Sequence, residues 1–487
     1  MPRLLRSPIK HLRRLPLLAA LGLASFGLAA PKVVEPARLP SEIRRTAEAL
    51  RDRIAAGSKA YDWVREIVDR AGPRLAGSPG DHAAVEAALA ILKSQGFANV
   101  RAEPVMVPVW QRGIEVGEVV SPVSQRLALT ALGGSEPTPA GGIEAEIVRV
   151  STLEELDQLD ASACRGKIVF IDRRMARTSD GSGYGDAVPA RSDGASRAAR
   201  LGAAGLLIRS IGTDRARLPH TGALTYAKDA PRIPAAALSV PDAELLTRLV
   251  RRGGPVRVRF ELTCGRKPDA PSASVVGEVV GREKPDEIVL LGAHLDSWDL
   301  GTGAIDDGAG CGIAIEAARQ IAALSPHPRR TIRVVLYANE ESGLAGGKAY
   351  AKAHAPELAR HVAALEADLG DGPPLGFSWN AGPSAEAMLK AIAGLTGALA
   401  AGQLKVTKSG GADISPLIPS GIPSLGLTLD ASTYFDLHHT ANDTLDKIDP
   451  ATLDRSTAVF ATAAYVLAET PETLERIPEA ARAQEAE

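Results

Sequence analysis

Acidic and imidazole side chains recur in this chain at one kind of place. His294 and Asp296 follow directly on the apolar run 288–291, Glu340 and Glu341 follow the run 331–337, and Asp368 follows the run 362–365. A short continuous apolar run bounded by turn residues reads as a buried strand. In an open α/β sheet, ligands bind just beyond the carboxyl ends of the strands. Three successive strands thus deliver a histidine, a Glu-Glu pair and an aspartate to one rim. The loop 301–308, with Asp306 and Asp307, lies between the first strand and its helix on that rim, and a late loop adds His438 and His439.

Hard carboxylate oxygens mixed with imidazole suit zinc, with manganese or cobalt as substitutes. One cation does not need so many carboxylates, whereas two cations sharing a bridging carboxylate do. Such a pair, about 3.5–4 Å apart, can bind a hydroxide between them and polarise a carbonyl. Glu340 and Glu341 are adjacent, so at a strand end they point in different directions. One can ligate while the other stays free as a base. Each piece alone has a plainer reading. A Glu-Glu pair is more often a solvated turn, and Asp306-Asp307 could simply cap the helix that starts at residue 308. The weight lies in their coincidence at one sheet edge. His11, His82, His327, His354 and His361 fall in the leader or on helix and loop faces and receive no role.

Positioning these side chains requires a layered α/β scaffold. From residue 286 onward, strands at 288–291, 331–337, 362–365 and 424–429 alternate with helices at 310–323, 343–353, 384–400 and 450–467. Such alternation implies a mixed, mostly parallel sheet flanked by helices. Before it come helices at 41–56 and 60–71, a turn-rich loop at 72–80, a helix from Asp81 to Gln95 and a strand over 100–110. Between 121 and 265 strands at 166–172, 205–208, 233–240 and 256–262 and helices at 195–201 and 242–251 suggest an inserted α/β module. Its size, about 140 residues, is that of an ordinary domain. The expected plan is a leader over 1–30, catalytic segments at 31–120 and 266–470, the insert at 121–265, and a charged, frayed tail over 471–487.

A net charge of −2 and an aromatic content of 4% argue against a nucleic-acid surface. Arg3, Arg6, Lys10, Arg13 and Arg14 precede an apolar, Ala/Gly-rich run over 15–30, with a small-x-small site at 27–29. This reads as a cleaved export signal, directing the protein to the periplasm or outside the cell. Arg13-Arg14 leaves the twin-arginine route open. The run is too short and too weakly apolar for a membrane span, which needs about 20 residues. Cys164, Cys264 and Cys311 are odd in number and widely spaced, so the fold does not rest on disulfides.

Three strings carry a resemblance: Gly292-Ala293-His294-Leu295-Asp296-Ser297-Trp298-Asp299, Ala304-Ile305-Asp306-Asp307-Gly308, and Glu340-Glu341-Ser342-Gly343-Leu344. They resemble the co-catalytic zinc aminopeptidase and glutamate carboxypeptidase family, in its carboxypeptidase Q branch, also called plasma glutamate carboxypeptidase. The segments 72–78 and Pro219-His220-Thr221-Gly222 resemble that branch as well, and the insert resembles a protease-associated domain. The resemblance implies a zinc-exopeptidase fold of the phosphorylase/hydrolase-like kind acting on dipeptides or short peptides.

It further implies that His294, Asp306 and Asp368 hold one zinc and that Asp306, Glu341 and His439 hold the other. Asp306 would bridge, Glu340 would be the general base, and Asp296 would orient His294 through its second ring nitrogen. His438 is the alternative to His439, and Asp307 to Asp306. Gly411 and Asp413 match a glycine-rich loop at the cleft and are expected to contact substrate or the groups behind it. Two rivals are a non-catalytic binding protein on this scaffold and a single-zinc glutaminyl cyclase. A homodimer is left open.

Overall fold

The computed structural model of the chain describes residues 34–482, so the leader over 1–30 lies outside the described residues. Strand β1 (Ala98–Gln111) is followed by eight strands that build a second sheet. These are β2 (Glu115–Ser121), β3 (Gln125–Leu127), β4 (Leu129–Ala131), β5 (Ile143–Val150), β6 (Ile168–Ile171), β7 (Gly205–Arg209), β8 (Ala235–Leu238) and β9 (Arg257–Leu262). The chain then returns to the first sheet with β10 (Gly265–Val279), β11 (Lys284–His294), β12 (Arg330–Tyr337), β13 (His361–Glu366), β14 (Pro374–Asn380), β15 (Gln403–Val406) and β16 (Ser424–Leu429).

The first sheet runs β1-β10-β12-β11-β13-β16-β14-β15. Its centre, β12-β11-β13-β16, is parallel, while β1, β10 and β14 pair antiparallel with their neighbours on at least one side. β11 and β12 are buried along their apolar length because helices cover both faces. Val289 and Leu291 pack under the helices Ser41–Ala55, Ala60–Ala71, Ala309–Ala322 and Pro450–Glu469. Ile288 and Leu290, one residue out of phase, meet Tyr350, Leu358 and Leu417 on the opposite face.

The second sheet runs β3-β2-β9-β5-β6-β7-β8-β4, with β5 to β8 parallel, and carries an apolar cluster on each face. It is entered and left through neighbouring positions, since Gln111 at the end of β1 pairs with Gly265 at the start of β10.

Two local expectations change. The helix expected from Asp81 begins at Pro79, and its cap is Ser78, whose hydroxyl accepts the Asp81 N–H at 3.2 Å. The Asp81 carboxylate instead accepts the Gly77 N–H at 2.8 Å and fixes the preceding turn. The segment after the last long helix is packed down through Arg482 rather than frayed. Leu474 and Ile477 are buried, and Arg476 donates to carbonyls of Leu358, Ala359, His361 and Ser420. Among the described residues no helix is long and apolar enough to cross a membrane, and all three cysteines are free and buried.

Candidate metal centre

His294 is the last residue of β11 and lies opposite Tyr337, the last residue of β12. Glu366 ends β13 opposite Gly292 of β11. The parallel register therefore brings His294, Glu340-Glu341 and Asp368 to one edge. Asp306 enters from the loop ahead of the helix Ala309–Ala322, and the Asp306–Asp307 peptide is cis.

Asp306 is the hub. Its Oδ1 lies 3.2 Å from His294 Nε2, and its Oδ2 lies 3.2 Å from His439 Nε2 and 3.4 Å from His438 Nε2. Asp368 Oδ1 stands 3.6 Å from His294 Nε2, and Glu341 Oε2 stands 3.0 Å from His439 Nε2. His439 reaches both Asp306 and Glu341, whereas the only carboxylate within ion-pair distance of His438 among the described residues is that of Asp306. Asp307 performs the plainer role: its carboxylate accepts the N–H groups of His294 and Gly310, capping the helix behind the site.

All of these groups are withdrawn from water except Asp368, which is partly open. Burial disfavours the imidazolium of His294, but Asp306 and Asp368 outweigh it and raise its pKa. Burial likewise works against the charge of Asp306, yet His294 and His439 hold its carboxyl well below the usual range. Glu340 is driven the other way, up, by burial and by Asp368, Glu341 and Asp296 around it.

Several acids thus crowd a few imidazoles, and the Oε1 of Glu341 is buried without a hydrogen-bond partner. Buried charge with an orphaned acceptor calls for cations. The N/O donor set is the kind that holds zinc: His294, Asp306 and Asp368 form one close group and Asp306, His438 and His439 another.

Asp296 meets the second ring nitrogen of His294 through its main chain. Its carboxylate is 3.8 Å from His294 Nδ1; the backbone carbonyl of Asp296 meets that nitrogen at 3.0 Å. Asp296 Oδ1 instead accepts the Glu340 N–H at 2.9 Å. Gly411 lines a cavity of about 310 Å³ beside Asp368, Phe377 and Lys405. A Cβ at Gly411 would lie 2.4 Å from the Glu366 carboxyl carbon, which is why glycine stands there. Asp413 is sealed away, with neither carboxylate oxygen hydrogen-bonded, and does not line this cavity.

Sequence reasoning missed the supports. Asp443 accepts the N–H groups of Ile305 and Asp306, fixing the hub. Fully buried Arg74 donates to the carbonyls of Leu295, Thr302 and Gly303 and so braces the loop between His294 and Asp306. From the second sheet, Thr221 N donates to the His439 carbonyl at 3.0 Å, and a ring nitrogen of His220 meets the His438 carbonyl at 2.8 Å. His439 has φ 62°, an unfavourable value for a residue with a side chain, and these contacts hold it there. Asp443, four residues beyond His439, and the quoted string 219–222 were the available signals.

A second cavity of about 410 Å³ lies on the Glu341 side, walled by Trp110 and Trp298 from one part of the chain and Gly133, Leu224 and Tyr226 from another. Trp298 also flanks His439, their rings 5.7 Å apart.

The model of Peptidase family M28 matches residues 274–464. Carboxypeptidase Q of Mus musculus is 36% identical over 420 residues, which cover 86% of this chain and 87% of that protein. The crystal structure of a peptidase M28 precursor from Shewanella amazonensis SB2B is similar at a TM-score of 0.87 and 46% identity, over 90% of this chain and 99% of that one. A zinc aminopeptidase from Bacillus subtilis shares the fold at a TM-score of 0.62 and 21% identity, over 86% and 97% of the two chains.

Proposed function

Because the chain belongs to peptidase family M28, we propose that it is a zinc-dependent exopeptidase that cleaves dipeptides or short peptides at a two-ion centre built on Asp306. His294 and Asp368 hold one ion and Glu341 and His439 the other, with Asp306 shared. The observation that carries this is the placement of Asp306 within 3.2 Å of both His294 and His439. When bound, such a pair of ions supplies Lewis acidity to the scissile carbonyl and lowers the pKa of the attacking water.

Glu340 takes the proton of that water and returns it to the leaving amine. Positive charge seated beside it would favour the carboxylate that a base needs. Asp296 positions Glu340 through the backbone N–H. The two cavities, on the Asp368 and Glu341 sides, give room for the residues flanking the cleaved bond.

Strands β2 to β9 fit the inserted protease-associated module. Gly133, Leu224 and Tyr226 wall one cavity and Asp180 the other, so the insert narrows access and favours short substrates. The N-terminal residues direct export before this work begins.

The test is a metal count by mass spectrometry together with hydrolysis of dipeptides, N-blocked peptides and C-blocked peptides, with and without chelator. Two zinc ions per chain and chelator-sensitive turnover are expected. One ion per chain, or none with full turnover, would overturn the reading. The blocked peptides report which terminus is recognised.

A further inference from the structure

The second sheet has its own ligand-type edge. β6, β7 and β8 are mutually parallel, and their carboxyl ends open onto a cavity of about 540 Å³. This is the place where an open parallel sheet binds ligands, just as the first sheet places its metal centre. The wall is built from the loop after β6, the loop after β7 and one face of the helix Val240–Arg251 after β8, from Val240 in its first turn to Arg248 in its last.

The lining is strongly cationic. Arg174, Arg177, Arg209, Arg215 and Arg248 face Asp214 and Glu244. Arg209 is buried against Asp172 and Glu244, Arg174 pairs with Glu244 at 2.7 Å, and Arg177 pairs with Asp436 at 2.7 Å. Asp214 is buried with its Oδ2 2.6 Å from His220 Nε2. Among the described residues Arg215 and Arg248 make no ion pair, so two guanidinium groups stand uncompensated at the mouth. Guanidinium groups favour oxyanions, which accept their forked N–H groups.

We propose that this cavity is a binding site for a small oxyanion, held by Arg215 and Arg248 against the carboxyl ends of β6, β7 and β8. Its size suits a compact sulfate-, phosphate- or carboxylate-bearing molecule. The site is separate from the metal centre but touches its support. Thr213, in the cavity wall, donates its N–H to the Phe435 carbonyl and its hydroxyl to Asp436, in the loop that leads to His439.

The test uses the metal-loaded full chain titrated calorimetrically with sodium sulfate, with sodium chloride holding the ionic strength. Saturable binding is expected, weakened about tenfold or more in the double variant Arg215→Gln/Arg248→Gln, as loss of charge-assisted contacts implies. Both side chains are exposed, so the variant should keep its melting temperature and its dipeptide turnover. Hydrogen exchange should slow at 172–177 and 209–215 on adding sulfate to the parent protein only. Equal binding in parent and variant, or protection confined to the metal-ligand loops, would overturn the proposal. So would binding of a tetraglutamate peptide without binding of sulfate, which would mark the cavity as a groove for an acidic chain.

Discussion

The carboxylate of Asp296 accepts the backbone N–H of Glu340, while the backbone carbonyl of the same residue meets Nδ1 of His294. One residue therefore places both the proposed base and the ring of a proposed metal ligand, by different atoms. Asp296→Ala removes only the first of these. Turnover should fall about 100-fold through misplacement of Glu340. Zinc content by mass spectrometry should be unchanged. Loss of zinc in step with turnover would show that the carboxylate grips His294 after all.

Glu340 and Glu341 should separate cleanly. Glu340→Gln should keep its metal and lose turnover by about 10²- to 10⁴-fold, the range for a general base. Glu341→Ala removes a proposed ligand beside His439 and should lower the metal count as well as turnover. Metal analysis and a dipeptide assay on both variants decide the matter; wild-type turnover in Glu340→Gln would exclude it as the base.

Gly133 lies against Trp298, so that a Cβ there would come within 1.9 Å of the indole ring. Gly133→Ala must push the ring aside, and overpacking of this kind costs about 1–3 kcal/mol. A lowered melting temperature and a changed tryptophan emission are expected. Because Trp298 flanks His439 and walls the Glu341-side cavity, KM for a dipeptide should rise too.

Acid should weaken the fold through His361, far from the metal centre. Burial, with the Arg333 charge nearby, pushes its pKa down to about 4, and the neutral ring is held between Tyr350 OH and the Glu357 carbonyl. A depressed folded-state value means that the unfolded chain binds the proton first. The stabilisation is therefore complete above about pH 6.5, the unfolded value, and is lost as pH falls toward 4, the folded value. The shift corresponds to about 3 kcal/mol. Urea midpoints measured across that range should drop in the parent protein and drop less in His361→Gln.

The parts of this architecture that sequence exposes are those where local pattern and global role coincide. β11, β12 and β13 are apolar runs because they are buried on both faces, and their ends announce the acidic and imidazole side chains that follow. β10 receives no element from sequence: Pro268, Pro271 and its polar residues carry no strand pattern, yet long β1 supplies a partner along nearly its whole length. Strand identity there comes from tertiary pairing, not propensity. The same holds for the site. His294, Glu341 and Asp368 follow strand ends and Asp306 and His439 lie in the loops nearby, but Asp443 and Arg74 act on backbone groups distant in sequence, so their neighbourhood marks their place and not what they do there. Asp296 is expected against the second ring nitrogen of His294 and does meet it, through its main-chain carbonyl, while the bond from its carboxylate to the Glu340 N–H carries no sequence signal.

Gln111 and Gly265 are paired neighbours, so the intervening stretch looks like a cassette that could be pruned or exchanged without disturbing its host. Thr221 forbids that economy: its backbone clasps His439, a proposed metal ligand, at both the carbonyl and the ring. Any transplant or shortening of this stretch must bring an equivalent clasp with it, and drift in either partner obliges the other to follow.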